Sequence, residues 1–161
     1  MGFLDKLDDQ RGKGKSDQEA LAAIRGKALK ALDDLLMEIR GCFGEDPKAH
    51  GVQIENVSFS VMDNGVSYDA PALKVTFDSR KSLRVQPGGL AFGGFRVDIQ
   101  FYGCPDNQPH VLLYAGQEGT EERVWAFSRK DGFGRPQLVR WTKEGFEEIL
   151  DRQVIGSVRI K

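Results

Sequence analysis

The chain has 161 residues, and its 23 lysines and arginines are balanced by 24 aspartates and glutamates. This length corresponds to one domain, and a 40% share of apolar residues is enough to form a core without disulfides or a structural metal. A net charge of −1 excludes the overall basic field through which many proteins bind nucleic acid or anionic membranes.

The start of the chain and its cysteines indicate a soluble protein of the cytoplasm. Residues 1–5 lack the basic start and the apolar stretch of a secretory signal, and no apolar run approaches the ~20 residues of a membrane span. The chain has only two cysteines, Cys42 and Cys104, and this pair, 62 residues apart, has the pattern of neither a disulfide framework nor a metal-binding knuckle. We therefore expect a reducing, cytoplasmic setting and no membrane partner.

The clearest local signal is an amphipathic helix. Residues 1–15 mix charges and glycines without periodicity and are expected to form a flexible arm, and residues 16–161 a single domain. Ser16 and Glu19 have the spacing of a capping box, and apolar residues then recur at steps of three and four. The pattern predicts a helix over 17–40 whose apolar arc sweeps about 160°. Either a wrapping sheet or a second copy of the chain would account for so wide an arc.

From Val52 onward the apolar period changes to two, which is typical of strands. Asn64-Gly65 is the two-residue turn favoured in hairpins, and it would pair Val61 with Tyr68 and Ile54 with Val75. The apolar parity switches in both strands together. This favours a hairpin that is either strongly twisted or doubly bulged, with its two halves burying opposite faces.

Several short strands follow, and a second helix is expected to begin near Thr142. One strand, around Leu83 and Val85, is expected to end at Pro87-Gly88-Gly89. The predicted fold class is α+β: a long N-terminal helix gripped by a curved, mostly antiparallel six- to seven-stranded meander sheet, with a short C-terminal helix. This architecture resembles helix-gripping sheets in general, among them cystatin-like and secretion-chaperone-like folds, a likeness of fold that implies no function.

The sequence contains no recognisable catalytic arrangement. The two histidines, His50 and His110, have no metal-ligand spacing. Cys42 with His50, or Cys104 with His110, could pair as nucleophile and base, but both pairs lie in glycine- or proline-rich turns. No P-loop, dinucleotide fingerprint or nucleophile elbow follows a predicted strand. The sequence therefore favours a protein without catalytic activity, cofactor or bound metal.

Two features near the helix are candidates for ligand binding. The glycine-rich stretch 88–95 opens into a strand and contains no lysine, so it is either a connection with core-plugging side chains or a flap that covers a ligand through Gly89 and Phe92. Arg25 falls inside the apolar arc of the helix. It is expected to snorkel, to form an internal ion pair or to anchor an anionic ligand between helix and sheet.

Charge is concentrated in the C-terminal third of the chain. Residues 123–143 hold six basic residues and one acidic residue, and basic side chains alternate there with aromatic ones, as in surfaces that stack single-stranded nucleic acid. An acidic ridge on the second helix, between Glu144 and Asp151, follows directly and could neutralise this segment locally. The candidate binding residues are Arg123, Trp125, Phe127, Arg129, Arg135, Arg140 and Trp141.

Three functions follow from these patterns. The leading one is a non-enzymatic interaction module that binds another protein and pairs with itself as a homodimer. The alternative is a small-molecule-binding or enzymatic helix-grip (cystatin-like) domain with a pocket between the helix 17–40 and the sheet. The third is weak nucleic-acid binding through the basic hairpin 123–141.

Overall fold

A computed structural model describes residues 2–91, 94–104, 109–116, 123–130 and 132–155, without the side chains of residues 13–16, 91, 130 and 136. Helix α1 (Phe3–Gly41) and a 3₁₀ turn (Pro47–His50) come first, and helix α2 (Lys143–Leu150) and a π-helical turn (Asp151–Ile155) come last. Seven strands lie between them: β1 (Gln53–Asp63), β2 (Val66–Thr76), β3 (Ser82–Ala91), β4 (Gly94–Tyr102), β5 (His110–Gly116), β6 (Arg123–Lys130) and β7 (Pro136–Arg140).

The strands form one antiparallel meander sheet in the order β1 to β7, and in the described residues this sheet is open, with β1 and β7 at its edges. Antiparallel neighbours need only tight turns between them, which is why consecutive strands lie side by side. Helix α1 packs on β2, β3 and β4, and α2 packs against α1. The predicted α+β class, with its long first helix, meander sheet and short last helix, is confirmed.

The core lies between α1 and the inner face of the sheet. Four apolar residues of α1 are at most 1% exposed: Ala28, Leu32, Leu35 and Ile39. The period of two in β4 places four fully buried side chains on the same inner face: Phe95, Val97, Ile99 and Phe101. Phe146 and Ile149 of α2 complete this core. The chain's own sheet and α2 thus cover the wide apolar arc, so its width does not require a second copy.

Helix α1 begins at Phe3 rather than at Asp17 and runs through the segment expected to be a flexible arm. Its N-cap is Gly2, and Ser16 and Glu19 therefore lie inside the helix rather than at its start. Each helical glycine costs only about 1 kcal/mol, which the good helix formers around it offset. The described side chains of residues 3–20 are almost all exposed, so this half of α1 lies outside the core. The flexibility of the segment stays a prediction.

The β1–β2 hairpin has the predicted register, with Val61 opposite Tyr68 and Ile54 opposite Val75. Asn64 and Gly65 have φ values of 50° and 76°, the two positive angles of a type I′ turn. The pairing continues without a register shift from Asp63 to Gln53, so the hairpin is not bulged. Buried positions of β2 change parity in mid-strand, and its two halves bury opposite faces as expected.

Strand β3 does not end where the sequence predicted. It continues through Pro87-Gly88-Gly89 to Ala91, because a register shift against β4 between Pro87 and Gly89 absorbs the irregular residues in a bulge. Gly89 has a φ of 92°, and a Cβ there would lie 2.8 Å from Asp63 Oδ2, so only glycine fits. The stretch 88–95 is thus mostly strand rather than a loop, and Phe92 lies outside the described residues.

The second helix begins as predicted. Thr142 is its N-cap, and the Thr142 hydroxyl accepts a hydrogen bond of 3.0 Å from the Gly145 N–H. Neither this helix nor any other in the described part of the chain is long and apolar enough to cross a membrane.

Candidate functional site

Arg25 and Asp63 form a buried ion pair between α1 and the tip of the β1–β2 hairpin. The Arg25 guanidinium donates to Asp63 Oδ1 from Nε, at 3.1 Å, and from Nη2. The Tyr68 hydroxyl and, at 3.0 Å, the Leu90 N–H donate to Asp63 Oδ2. The guanidinium also lies 5.0 Å from the centre of the Tyr68 ring. Of the three alternatives for Arg25, the structure has the internal ion pair.

The protonation states of this cluster follow from its contacts. Burial alone would raise the pKa of Asp63, but hydrogen bonds from Arg25, Tyr68 and the Leu90 amide hold it below its ordinary value. The hydrogen bond to Asp63 raises the pKa of Arg25, and burial together with Asp63 raises the pKa of Tyr68. The Arg25 charge is therefore already compensated within the chain. The cluster fastens α1 to the hairpin and to the β3 bulge.

A groove of about 300 Å³ lies on the other side of α1, between this helix and strands β5, β6 and β7; we call it the helix–sheet groove. Its helix side is formed by Ala31, Asp34, Leu35 and Glu38, which follow one another at steps of three and one along one flank of α1. Its sheet side is formed chiefly by Tyr114, Arg123, Trp125, Arg140 and Trp141. The N-terminal helix α1 thus meets three strands of the C-terminal half, β5, β6 and β7, at one site.

Two tryptophans connect the sides of the groove. The Trp125 indole N–H donates to the backbone oxygen of Ala31 at 3.2 Å, and the Trp141 indole N–H donates to Glu38 Oε2 at 2.8 Å. The backbone N–H of Trp141 also donates to the Trp125 oxygen at 2.9 Å. Tyr114 lies directly opposite Trp125 in the β5–β6 ladder, and their ring centres are 5.0 Å apart. The aromatic lining is therefore held rigidly.

The groove carries charges of opposite sign on its two sides. Asp34 and Glu38 lie on the helix side, and Arg123 and Arg140 on the sheet side. The ion pairs between described residues join Arg25 to Asp63 and Arg96 to Asp98, and none of them crosses the groove. In the described part of the chain, Asp34 and Arg140 are exposed and have no ion-pair partner. Both charges can therefore meet a bound molecule.

Four residues predicted from the basic hairpin lie at this groove: Arg123, Trp125, Arg140 and Trp141. The others do not. Phe127 is 2% exposed and belongs to the core, and Arg129 lies 5.0 Å above its ring. Arg135 lies 5.0 Å from the ring centre of Phe133, in the turn between β6 and β7.

The two aromatic side chains of strand β6, Trp125 and Phe127, are buried and form no exposed stacking surface. Trp125 is 8% exposed and contacts α1, and Phe127 is packed among core residues. Local neutralisation by the acidic ridge of α2 is not seen as direct contacts either, because no ion pair between described residues joins the hairpin to Glu144, Glu147 or Glu148. The basic side chains of the hairpin therefore do not share one surface: Arg123 and Arg140 line the groove, whereas Arg129 and Arg135 lie over phenylalanine rings.

The helix side of the groove escaped the sequence analysis. Asp34 and Glu38 are four residues apart and border the apolar arc, a signal that marks the rim of a packed helix. Nothing in the local sequence shows that β6 and β7, about ninety residues later, would lie beside that rim. The groove is a product of the tertiary fold.

Both cysteine thiols have raised pKa values, and the half-buried His110 packs against aromatic rings. The Cys42 thiol donates to the backbone oxygen of Glu38 at 3.4 Å, and burial raises the pKa of this thiol to about 11. Burial also raises the pKa of Cys104. His110 lies edge-on to the rings of Phe101 and Phe127, at 6.1 and 6.5 Å between ring centres. Within the described residues, no three His, Cys, Asp or Glu side chains are placed to hold a metal ion.

The fold and the groove together define an α+β protein in which a long helix lies on an open antiparallel meander beside a small bipolar groove. The chain matches no protein-family model, no curated protein and no solved structure. The geometry of the groove is therefore the basis on which a function can be argued.

Proposed function

We propose that this chain is a non-enzymatic interaction module and that the helix–sheet groove binds an extended segment of another protein. The observation that carries the proposal is the groove's composition: a rigid aromatic and apolar lining flanked by a carboxylate on one side and an arginine on the other. Trp, Tyr and Arg are the residues that dominate binding energy at protein interfaces.

The size of the groove favours an anchor side chain over a whole ligand. A volume of about 300 Å³ is at the lower limit of typical small-molecule pockets. An apolar side chain of the partner would pack against the half-buried Ala31 and Trp141, and its neighbours would meet the two charged sides. The matching segment carries an acidic residue that reaches Arg140 and a basic residue that reaches Asp34.

The cytoplasm remains the proposed location. Cys42 and Cys104 are not joined by a disulfide, as is usual for proteins of reducing compartments. A second candidate ligand is a zwitterionic small molecule, because the two signs of charge would suit its two ends. This candidate corresponds to the pocket that the sequence placed between helix and sheet, although the groove lies at β5–β7 and not beside Arg25.

The test is a selection of peptides followed by a charge exchange. Peptides selected from a random display library should share an apolar residue flanked by one acidic and one basic residue. Arg140→Glu should weaken a selected peptide at least tenfold, or about 1.4 kcal/mol, and a peptide with lysine in place of its acidic residue should recover binding to that variant. Intrinsic fluorescence provides the measurement, since both tryptophans of the chain line the groove.

Arg84→Glu is the matched control, because it makes the same change of charge on the outer face of β3, between the buried Leu83 and Val85. It should leave peptide affinity unchanged. Peptides that bind Arg140→Glu and Trp141→Ala as tightly as the native chain would contradict the proposal. Failure to select any peptide, together with a fluorescence response to free zwitterionic amino acids, would favour the small-molecule candidate instead.

A further inference from the structure

The two edges of the sheet differ in how they are protected. Strand β7 has five residues and carries Pro136 and Arg140, which are typical guards of an edge strand. Strand β1 has eleven residues, QIENVSFSVMD, with no proline, lysine or arginine. Its pairing with β2 also has no bulge that would turn the edge away. Among the described residues, β1 has a strand on one side only.

The middle of β1 is exposed on both faces. Residues 55–60 are all exposed, and they include Val57 at 41% and Phe59 at 39%. Free backbone groups along a long edge are paired most readily by another strand, and exposed apolar side chains beside them strengthen that pairing. The edge therefore suits an extended strand as its occupant.

The hairpin turn fixes which backbone groups of β1 point outward. Asp63 and Val66 close the type I′ turn and form a hydrogen-bonded pair, so the odd-numbered residues of β1 bond to β2. The N–H and C=O groups of the even-numbered residues then point away from β2. Pro71, opposite Ser58, agrees with this alternation because a proline has no N–H to give to β1.

We propose that the occupant of this edge is a second copy of the chain, paired antiparallel through β1 with Ser58 on the two-fold axis. An isologous contact of this kind joins two seven-stranded sheets into one continuous sheet. It goes beyond the proposed peptide binding and is independent of it, because the helix–sheet groove lies beside β5–β7, towards the opposite edge.

The register follows from the length and pattern of the strand. Ser58 is the midpoint of β1, so only this register pairs all residues from Gln53 to Asp63 with those of the copy. In this register, the even-numbered residues, whose backbone groups point outward, become hydrogen-bonded partners across the two copies. Val57 then lies opposite Phe59 of the copy on each side of the axis. The two exposed apolar side chains thus cover each other. A register centred on Phe59 would instead pair only residues 55–63 and leave Gln53 and Ile54 without partners in the copy.

The first test is the molar mass in solution, measured by sedimentation equilibrium at tens of micromolar. We expect a dimer of twice the 17.9 kDa chain. Ser58→Pro removes only an outward N–H and Phe59→Lys places a charge at the edge, so each should raise the dimer dissociation constant at least tenfold while the thermal unfolding curve remains cooperative. Leu138→Lys, on the guarded edge strand β7, should leave the dimer intact.

The second test reports on the register. Ser58→Cys should form an intermolecular disulfide on mild oxidation, because hydrogen-bonded antiparallel partners have Cα atoms about 5.5 Å apart. Glu55→Cys is the control on the same strand, since six residues of offset place its two copies about 20 Å apart. A monomer at all concentrations, a dimer unchanged by Ser58→Pro and Phe59→Lys, or cross-linking through residue 55 and not 58 would overturn the proposal.

Discussion

Arg25 and Asp63 determine how the hairpin meets the helix. Burying an arginine costs free energy unless a counter-charge compensates it. Here the Asp63 carboxylate accepts hydrogen bonds from the Arg25 guanidinium, the Tyr68 hydroxyl and the Leu90 backbone N–H. The Asp63 carboxylate packs directly against Gly89 in the β3 bulge, where a Cβ would lie only 2.8 Å from Oδ2. Its structural role explains why an arginine lies inside an otherwise apolar helical arc.

This cluster predicts a dependence of stability on pH. The folded pKa of Asp63 lies below its unfolded value of about 3.9, so the stabilisation is fully present above that pH and is lost as the pH falls through the folded pKa. Asp63→Asn should lower the free energy of unfolding at pH 7 by about 3–5 kcal/mol, because it leaves Arg25 buried without a counter-charge. It should also flatten the acid dependence, as measured by urea unfolding between pH 7 and pH 2.

The matched control is Asp98→Asn, which removes the acidic partner of Arg96 at a pair that is more than one-third exposed. Solvent screening limits the contribution of such a pair to about 0–1 kcal/mol, and the acid dependence of unfolding should remain. Equal effects of the two substitutions would contradict the structural role assigned to Asp63.

Among the elements, α1 makes the largest contribution to the core, and its packing can be tested at one residue. Leu32 is fully buried between α1 and the sheet, so Leu32→Ala should lower the free energy of unfolding by about 2–5 kcal/mol in denaturant titrations. Met37 lies on the same helix at 71% exposure, and Met37→Ala should change it by less than about 0.5 kcal/mol. Similar costs for the two would mean that the apolar arc is not the buried face.

The elements that could be predicted are those whose signals are local. The register of β1 and β2 follows from a two-residue turn and the alternation beside it, and the start of α2 follows from Thr142. The course of β3 through Pro87 could not be read in the same way. A bulge is tolerated there because Gly89 meets the hairpin tip, a contact with Asp63 that no local pattern reveals.

The start of α1 and the partner of Arg25 were missed for related physical reasons. A capping box is compatible with a helix end but does not prevent a helix from continuing through it. The leucines, lysines, arginine and glutamine before Ser16 favour helix intrinsically. Asp63 lies 38 residues from Arg25, in a turn region where an aspartate is ordinary. Sequence periodicity showed that Arg25 falls within the apolar arc, but it could not identify Asp63 as its partner.

At the scale of the whole molecule, the sheet separates two surfaces. The helix–sheet groove lies beside β5–β7, and the exposed strand β1 lies at the other end of the strand order. Both need the complete fold, since the groove joins α1 to residues of the C-terminal third. The proposed peptide binding and the proposed pairing through β1 would therefore use opposite ends of the sheet.

The location of binding is the central claim, and the indole N–H resonances of Trp125 and Trp141 in a ¹H–¹⁵N spectrum test it most directly. On addition of a selected peptide, we expect both resonances to shift, together with the amides of Asp34 and Glu38, and we expect Arg140→Glu to abolish these shifts. Unchanged indole resonances, with shifts confined to amides on the opposite flank of α1 such as Leu36 and Met37, would contradict the account.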